Sequence, residues 1–170
     1  MAEFYLPSTP ADGNMLVLLL PEVADIKNIT VAEATAASAV NISCYLTSDG
    51  FSPSLDEQVI SDERLCDRES REARGRHSRG LDLTYIDNTN APDEETINEA
   101  ANTLLPGSRH VVFIRRGLPF EDEVVAGQTY SAYRVVSGEQ NELPPEANSV
   151  LKISQKQFVG GSAMRVKVAA

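Results

Sequence analysis

Apolar and polar residues change their period along the chain, and each period names an element. Ile97, Ala100, Ala101 and Leu104 recur at i, i+3, i+4 and i+7, which lines one face of a helix. The spacing predicts a helix over 93–104. Asp93 stands where an N-cap belongs, and Glu94 and Glu95 complement the positive helix end. Pro106-Gly107 stops it, because proline cannot continue a helix and glycine accepts left-handed dihedrals. Elsewhere the period is two. Ile42, Cys44 and Leu46 alternate with Ser43, Tyr45 and Thr47. Leu81, Leu83 and Tyr85 alternate with Asp82, Thr84 and Ile86, and Met164, Val166 and Val168 with Arg165 and Lys167. These are half-buried strands. Val111–Ile114, Thr129–Val136 and Val150–Phe158 have the β-branched and aromatic composition of further strands. Met15–Leu20 is continuously apolar and closed by Pro21. It reads as a fully buried strand or, alternatively, as part of an arm docked on a neighbouring subunit.

Turn signals separate these runs. Asp49-Gly50 and Gly138 close strands, residues 51–60 with Pro53 are loop-like, and Gly160-Gly161 allows a tight reversal. Thr30 to Glu33 has the form of a capping box ahead of a short alanine-rich stretch. The expected fold class is mainly β: an antiparallel β-sandwich with one flanking α-helix and a long inter-subunit loop. Strands over 110–116, 128–137, 149–158 and 163–169 follow one another and should form one meandering sheet.

The 170 residues suit a single domain. Within it, residues 1–27 read as an N-terminal arm and 61–80 as a charged extended loop. The net charge is −10, which argues against general nucleic-acid binding through a basic surface. The charge is unevenly spread. Between Asp62 and Arg79 six arginines face five acids, and the rest of the chain carries −11. Structureless loops of that length are uncommon in compact domains and are usually functional or disordered. No apolar run approaches the roughly 20 residues of a membrane helix, and no signal peptide is expected. Cys44 and Cys66 are too few for a disulfide framework and are expected as a buried and a half-buried thiol.

Candidate chemistry is sparse. His77 and His110 are the two histidines, and no spacing of His, Cys, Asp and Glu matches a metal site. His77 sits among arginines as a solvated side chain, and His110 reads as a polar residue at a strand edge. Hydrolase, phosphate-loop and dinucleotide motifs are missing. Gly160-Gly161-Ser162 has no helix after it to bind a phosphate. Glu121-Asp122-Glu123 lacks the ligand spacing of a calcium loop. The expectation is a protein that is not an enzyme and has no cofactor and no bound metal.

The order of several segments carries more than any single motif. NISCYLT at 41–47 follows TVAEATAAS, and RLC stands at 64–66. Then come the strand LDLT, a helix ending TLLPG, VVFIRRG at 111–117, AGQTYSAYRVVSGEQ at 126–140 and a closing KISQKQFVGG followed, after six further residues, by a valine. In this order they resemble the major tail tube proteins of long-tailed phages, of the type common in phages of actinobacteria. The resemblance runs from about residue 28 to the end.

The resemblance implies a structural virion protein, assembled in the host cytoplasm and located in the phage tail. Its copies would form hexameric rings that stack into a hollow tube. One sheet of each subunit would line the channel, and a long loop and the termini would reach neighbouring subunits. The tail tip and a tape-measure protein would be its assembly partners. DNA would pass through on its way to the host without specific binding, which an acidic conduit favours by repelling phosphates. On this reading Arg68, Arg71, Arg74, Arg76 and Arg79 of one copy would face Glu121, Asp122 and Glu123 of another. Gln128, Gln155 and Gln157 are the candidates for the channel lining. The alternative is a β-sandwich connector, tail terminator or virion decoration protein.

Overall fold

The computed structural model describes residues 6–170. Seven strands form one sheet: β1 (Met15–Leu20), β2 (Val40–Asn41), β3 (Leu46–Asp62), β4 (Arg71–Ile86), β5 (Arg109–Arg116), β6 (Thr129–Glu142) and β7 (Lys152–Lys167). Their order is β2-β1-β5-β6-β7-β4-β3, and every pairing is antiparallel. The helices are short: α1 (Val31–Ala34), α2 (Glu94–Ile97) and α3 (Glu99–Thr103).

The sheet is buried on both faces. On one side Leu16, Leu18 and Leu20 of β1 meet Val111 and Phe113 of β5 and Tyr130 and Ala132 of β6. Val23, Ile26, Ile29 and Ala34, from the segment after β1, cover them. On the other side Val17 and Leu19 of β1 share a cluster with Leu81, Leu83 and Tyr85 of β4. Three strands separate β1 from β4 in the sheet order, roughly 19 Å if the sheet were flat. One short turn, residues 42–46, hydrogen-bonds to both β1 and the end of β4, which requires the sheet to curl until its halves face each other. The sandwich is therefore one folded sheet. The turn at 42–46 stitches the halves: Ile42 N donates to Val17 O at 3.0 Å, and Ile86 N donates to Tyr45 O at 2.9 Å. Burial on both faces explains why β1 is apolar throughout.

The first core is anchored by Tyr130, whose ring stacks on Phe113 with centroids 4.9 Å apart. Its hydroxyl accepts from Ile29 N at 2.9 Å and donates to Ile26 O at 3.0 Å, which holds the covering segment in place. The capping box forms as expected, with Thr30 Oγ1 accepting from Glu33 N and Glu33 accepting from Thr30 N. Of the expected N-terminal arm, residues 15–20 are a strand inside the sheet and Val23 and Ile26 are buried. Residues 6–13 are exposed, and the first five lie outside the described residues.

Several elements differ from expectation. Of the alternating residues 42–47, residues 42–45 form a turn in place of a strand, since Tyr45 N and Leu46 N both donate to Ile42 O, and Leu46 and Thr47 already begin β3. Ser43 Oγ accepts from Val17 N at 2.8 Å, so a side chain supplies what a paired strand would. Cys44 and Cys66 are both exposed. The helix over 93–104 breaks at Asn98, which is buried. Its side-chain oxygen accepts from Asn88 N at 3.1 Å, and this tie to the preceding turn divides α2 from α3. Ala100, Ala101 and Leu104 face the core as expected, but Ile97 is exposed and the Asp93 side chain caps nothing. Gly107, at φ +81°, ends the segment. Gly160-Gly161 does not reverse the chain. The register passes from Arg134↔Gly161 to Val135↔Val159, so Gly160 is the extra residue of a bulge. The continuous partner β6 keeps the strand running.

Candidate assembly surfaces

The largest departure is the segment expected as loop. Residues 46–62 and 71–86 are the two strands of one long hairpin. Pro53 is tolerated because β3 is the edge of the sheet, where a missing N–H need not break a ladder. The inner half of β4 is held on both sides: Leu81 to Ile86 pair with β3 and with Gln157 to Lys152 of β7. Beyond Leu81↔Gln157 the strands diverge. Residues 71–80 of β4 pair with β3 alone, and ten residues of arm at about 3.3 Å each extend roughly 33 Å. Leu55, Val59 and Ile60 on this arm are 49%, 59% and 55% exposed. The divergence also leaves residues 158–167 of β7 paired on one side only.

The arm is not uniformly basic. Arg74 pairs with Glu57 across the hairpin, Arg64 with Asp62 at 3.0 Å and Arg71 with Asp67 at 3.9 Å near the tip. Arg68, Arg76 and Arg79 make no ion pair among the described residues. Exposed pairs of this kind contribute about 0–1 kcal/mol each.

Glu121, Asp122 and Glu123 lie on the loop between β5 and β6, and a buried cation shapes that loop. Arg115 is fully buried on β5. Its Nη1 donates to Asp122 O at 2.8 Å, Glu123 O at 3.0 Å and Gln128 Oε1 at 3.3 Å, and its Nη2 donates to Pro119 O. Burial lowers the guanidinium pKa, and the Asp122 charge opposes the shift. The backbone carbonyls thus turn inward to Arg115, and the three acidic residues are exposed. No ion pair joins them to the arm arginines among the described residues. Gln128 is half-buried and braces the same loop, accepting from Val125 N at 3.2 Å.

Gln155 and Gln157, expected on a channel wall, are buried inside the subunit. They share strand parity with the buried Ile153, which is the signal that would have placed them. Gln155 Nε2 donates to Leu104 O and Gly138 O, both at 2.8 Å, and its Oε1 accepts from Tyr85 OH at 3.1 Å and Gln157 Nε2 at 3.1 Å. Gln140 Nε2 donates to Ala101 O at 2.9 Å and Tyr85 OH at 3.2 Å. These amides satisfy the carbonyls that the end of α3 leaves unpaired. Burial pushes the Tyr85 hydroxyl up to about 12, against the weaker pull of Gln140.

Among the described residues no group of His, Cys, Asp or Glu could hold a metal ion, and no helix is long and apolar enough to cross a membrane. His77 is exposed on the arm. His110 Nε2 lies 3.2 Å from Thr103 O and 3.0 Å from Ser108 Oγ, and burial lowers its pKa.

Comparison with known proteins agrees with this architecture. The sequence model of a family described as phage tail tube protein matches residues 4–170, taking in much of the N-terminal arm. No match is found among curated proteins. A chain in the cryo-EM structure of the anti-feeding prophage (AFP) baseplate, 6-fold symmetrised, has a similar fold: TM-score 0.56 at 12% identity, covering 95% of this chain and 98% of that one.

Proposed function

The chain belongs to the phage tail tube protein family, a structural component of the virion tail, and from that premise we propose that its copies stack as hexameric rings into the tube of a long-tailed phage. DNA crosses the tube during ejection, and the tube grows from the tail tip around a tape-measure protein. The observation that carries this reading is the incomplete sheet. The hairpin arm stands clear of the body, and residues 158–167 of β7 present one unpaired backbone edge. Exposed edges of this length are usually covered or paired, and neighbouring copies are the partners a tube supplies. Arm and edge lie on different parts of the subunit, so the contacts are head to tail and generate rings or filaments. The acidic loop at 121–123 and the unpaired Arg68, Arg76 and Arg79 add complementary charge. Negative-stain electron microscopy of the purified protein tests the reading. Rings and tubes are expected. A single ring that never stacks would favour a terminator or connector, and a strictly monomeric population at high concentration and low salt would overturn the proposal.

A further inference from the structure

The second core is closed at one end and open at the other. Ala100, Ala101 and Leu104 close the first end. At the second, where β4 leaves β7, a cavity of about 250 Å³ opens between Phe51 and Leu55 of β3 and the sheet face bearing Ile114, Tyr133 and Met164. Its rim carries two cations, Arg79 and Arg116, neither of which makes an ion pair among the described residues. The cavity is therefore an apolar cleft with a basic edge.

The protein also carries an exposed apolar segment flanked by acids, of which Asp56 and Glu63 make no ion pair among the described residues while Glu57 and Asp62 pair with Arg74 and Arg64. Val59 and Ile60 stand exposed in the outer part of β3, between Asp56 and Glu57 on one side and Asp62 and Glu63 on the other. Adjacent strand residues point to opposite faces, so Val59 and Ile60 put one apolar side chain on each face of this part of the arm, opposite Arg74 and Ala73 of β4. Such a shape suits insertion into a cleft better than lying flat on a surface. The arm cannot enter its own cleft. Its base, from Phe51 to Leu55, is one wall, and the ladder with β4 carries it straight on to Asp62↔Arg71.

We propose that the arm of one copy, centred on Val59 and Ile60, plugs the cleft of the next copy between Leu55 and Met164, with the unpaired Asp56 and Glu63 against Arg79 and Arg116. This rests on the tail-tube reading and adds the socket that the arm occupies. Plug and socket lie on different parts of the subunit, so each copy offers both and the contact propagates.

Cross-linking tests it, in a background in which both native cysteines are replaced (Cys44→Ser, Cys66→Ser). One preparation carries Ile60→Cys and the other Met164→Cys. Mixed under mild oxidation, they should yield a disulfide-linked pair. Val150→Cys in place of Met164→Cys should not, because Val150 is more exposed than Met164 but lies at the other end of the body, beside Lys152↔Ile86. Ile60→Asp should abolish assembly while leaving the thermal transition of the subunit unchanged, and Met164→Asp should do the same. Mixing these two should restore one junction only, giving dimers that do not grow. Tubes in the micrographs without the cross-link, or normal tubes from Ile60→Asp, would overturn the plug and leave the tail-tube reading standing. Neither tubes nor cross-link would overturn both.

Discussion

The body and the arm are built from the same kind of strand, and they differ in what stands against it. In the body each face of the sheet meets a second apolar layer, so β1 and β5 bury most of their side chains and β6 buries Tyr130, Ala132, Tyr133 and Val135. In the arm two strands pair with each other and with nothing else, and both faces are wet. An isolated two-stranded hairpin is marginal in water. The buried layers hold the body together, whereas nothing within the subunit covers the outer arm, which on the proposed reading meets a neighbouring copy. If the proposal holds, stability and assembly are separable in this chain, the first residing in the body and the second in the outer part of the β3–β4 hairpin.

Three perturbations would break or sharpen that separation. The largest effect should come from excising 56–78 and joining the cut strands with a two-residue turn. Tube growth should be lost entirely in electron micrographs, while the urea midpoint of the subunit barely moves. Normal tubes would show that the arm has no assembly role. Phe113→Ala, in the body, should do the reverse. It removes a fully buried ring stacked on Tyr130 and should cost about 3–5 kcal/mol in denaturant unfolding. A loss below about 1 kcal/mol would mean that the first core is less tightly packed than described. The smallest effect concerns pH. Tyr85 is held neutral by burial, with a folded pKa of about 12 against 10.0 unfolded. A raised pKa means that its contribution is fully present below pH 10 and is lost as pH rises through 12, at about 1.4 kcal/mol per unit of difference. The melting temperature should fall across that window, and Tyr85→Phe should flatten the fall. Excising the arm should leave this profile unchanged, because Tyr85 belongs to the body.

Legibility in the sequence followed the same division. Strands with a strong local pattern announced themselves: β5 and β6 appear where β-branched and aromatic composition puts them, and the inner half of β4 where alternation does. Thr30 and Glu33 formed their capping box because that signal is complete within four residues. The arm was misread because a hairpin with two wet faces has no period. Its charges and Pro53 are what a loop would show, and pairing between residues far apart made it strand. Gln155 and Gln157 are polar and so read as channel-facing, although they share parity with Ile153; an amide is buried only when partners such as Leu104 O and Gly138 O are waiting. Asn98 broke the helix for the same reason. Gly160-Gly161 carries the composition of a reversal, and only the unbroken length of β6 beside it turns the pair into a bulge.

By itself the chain determined its β class, its stop at Pro106-Gly107, its acidity and its lack of catalytic motifs, because those depend on neighbours a few residues apart. The tertiary structure alone decided that one sheet curls over to face itself, that the charged stretch stands out as an arm, and that the glutamines of β7 turn inward. Each of these is a contact between segments distant in sequence. Its free energy comes from area buried and hydrogen bonds satisfied across that distance, which no local pattern records.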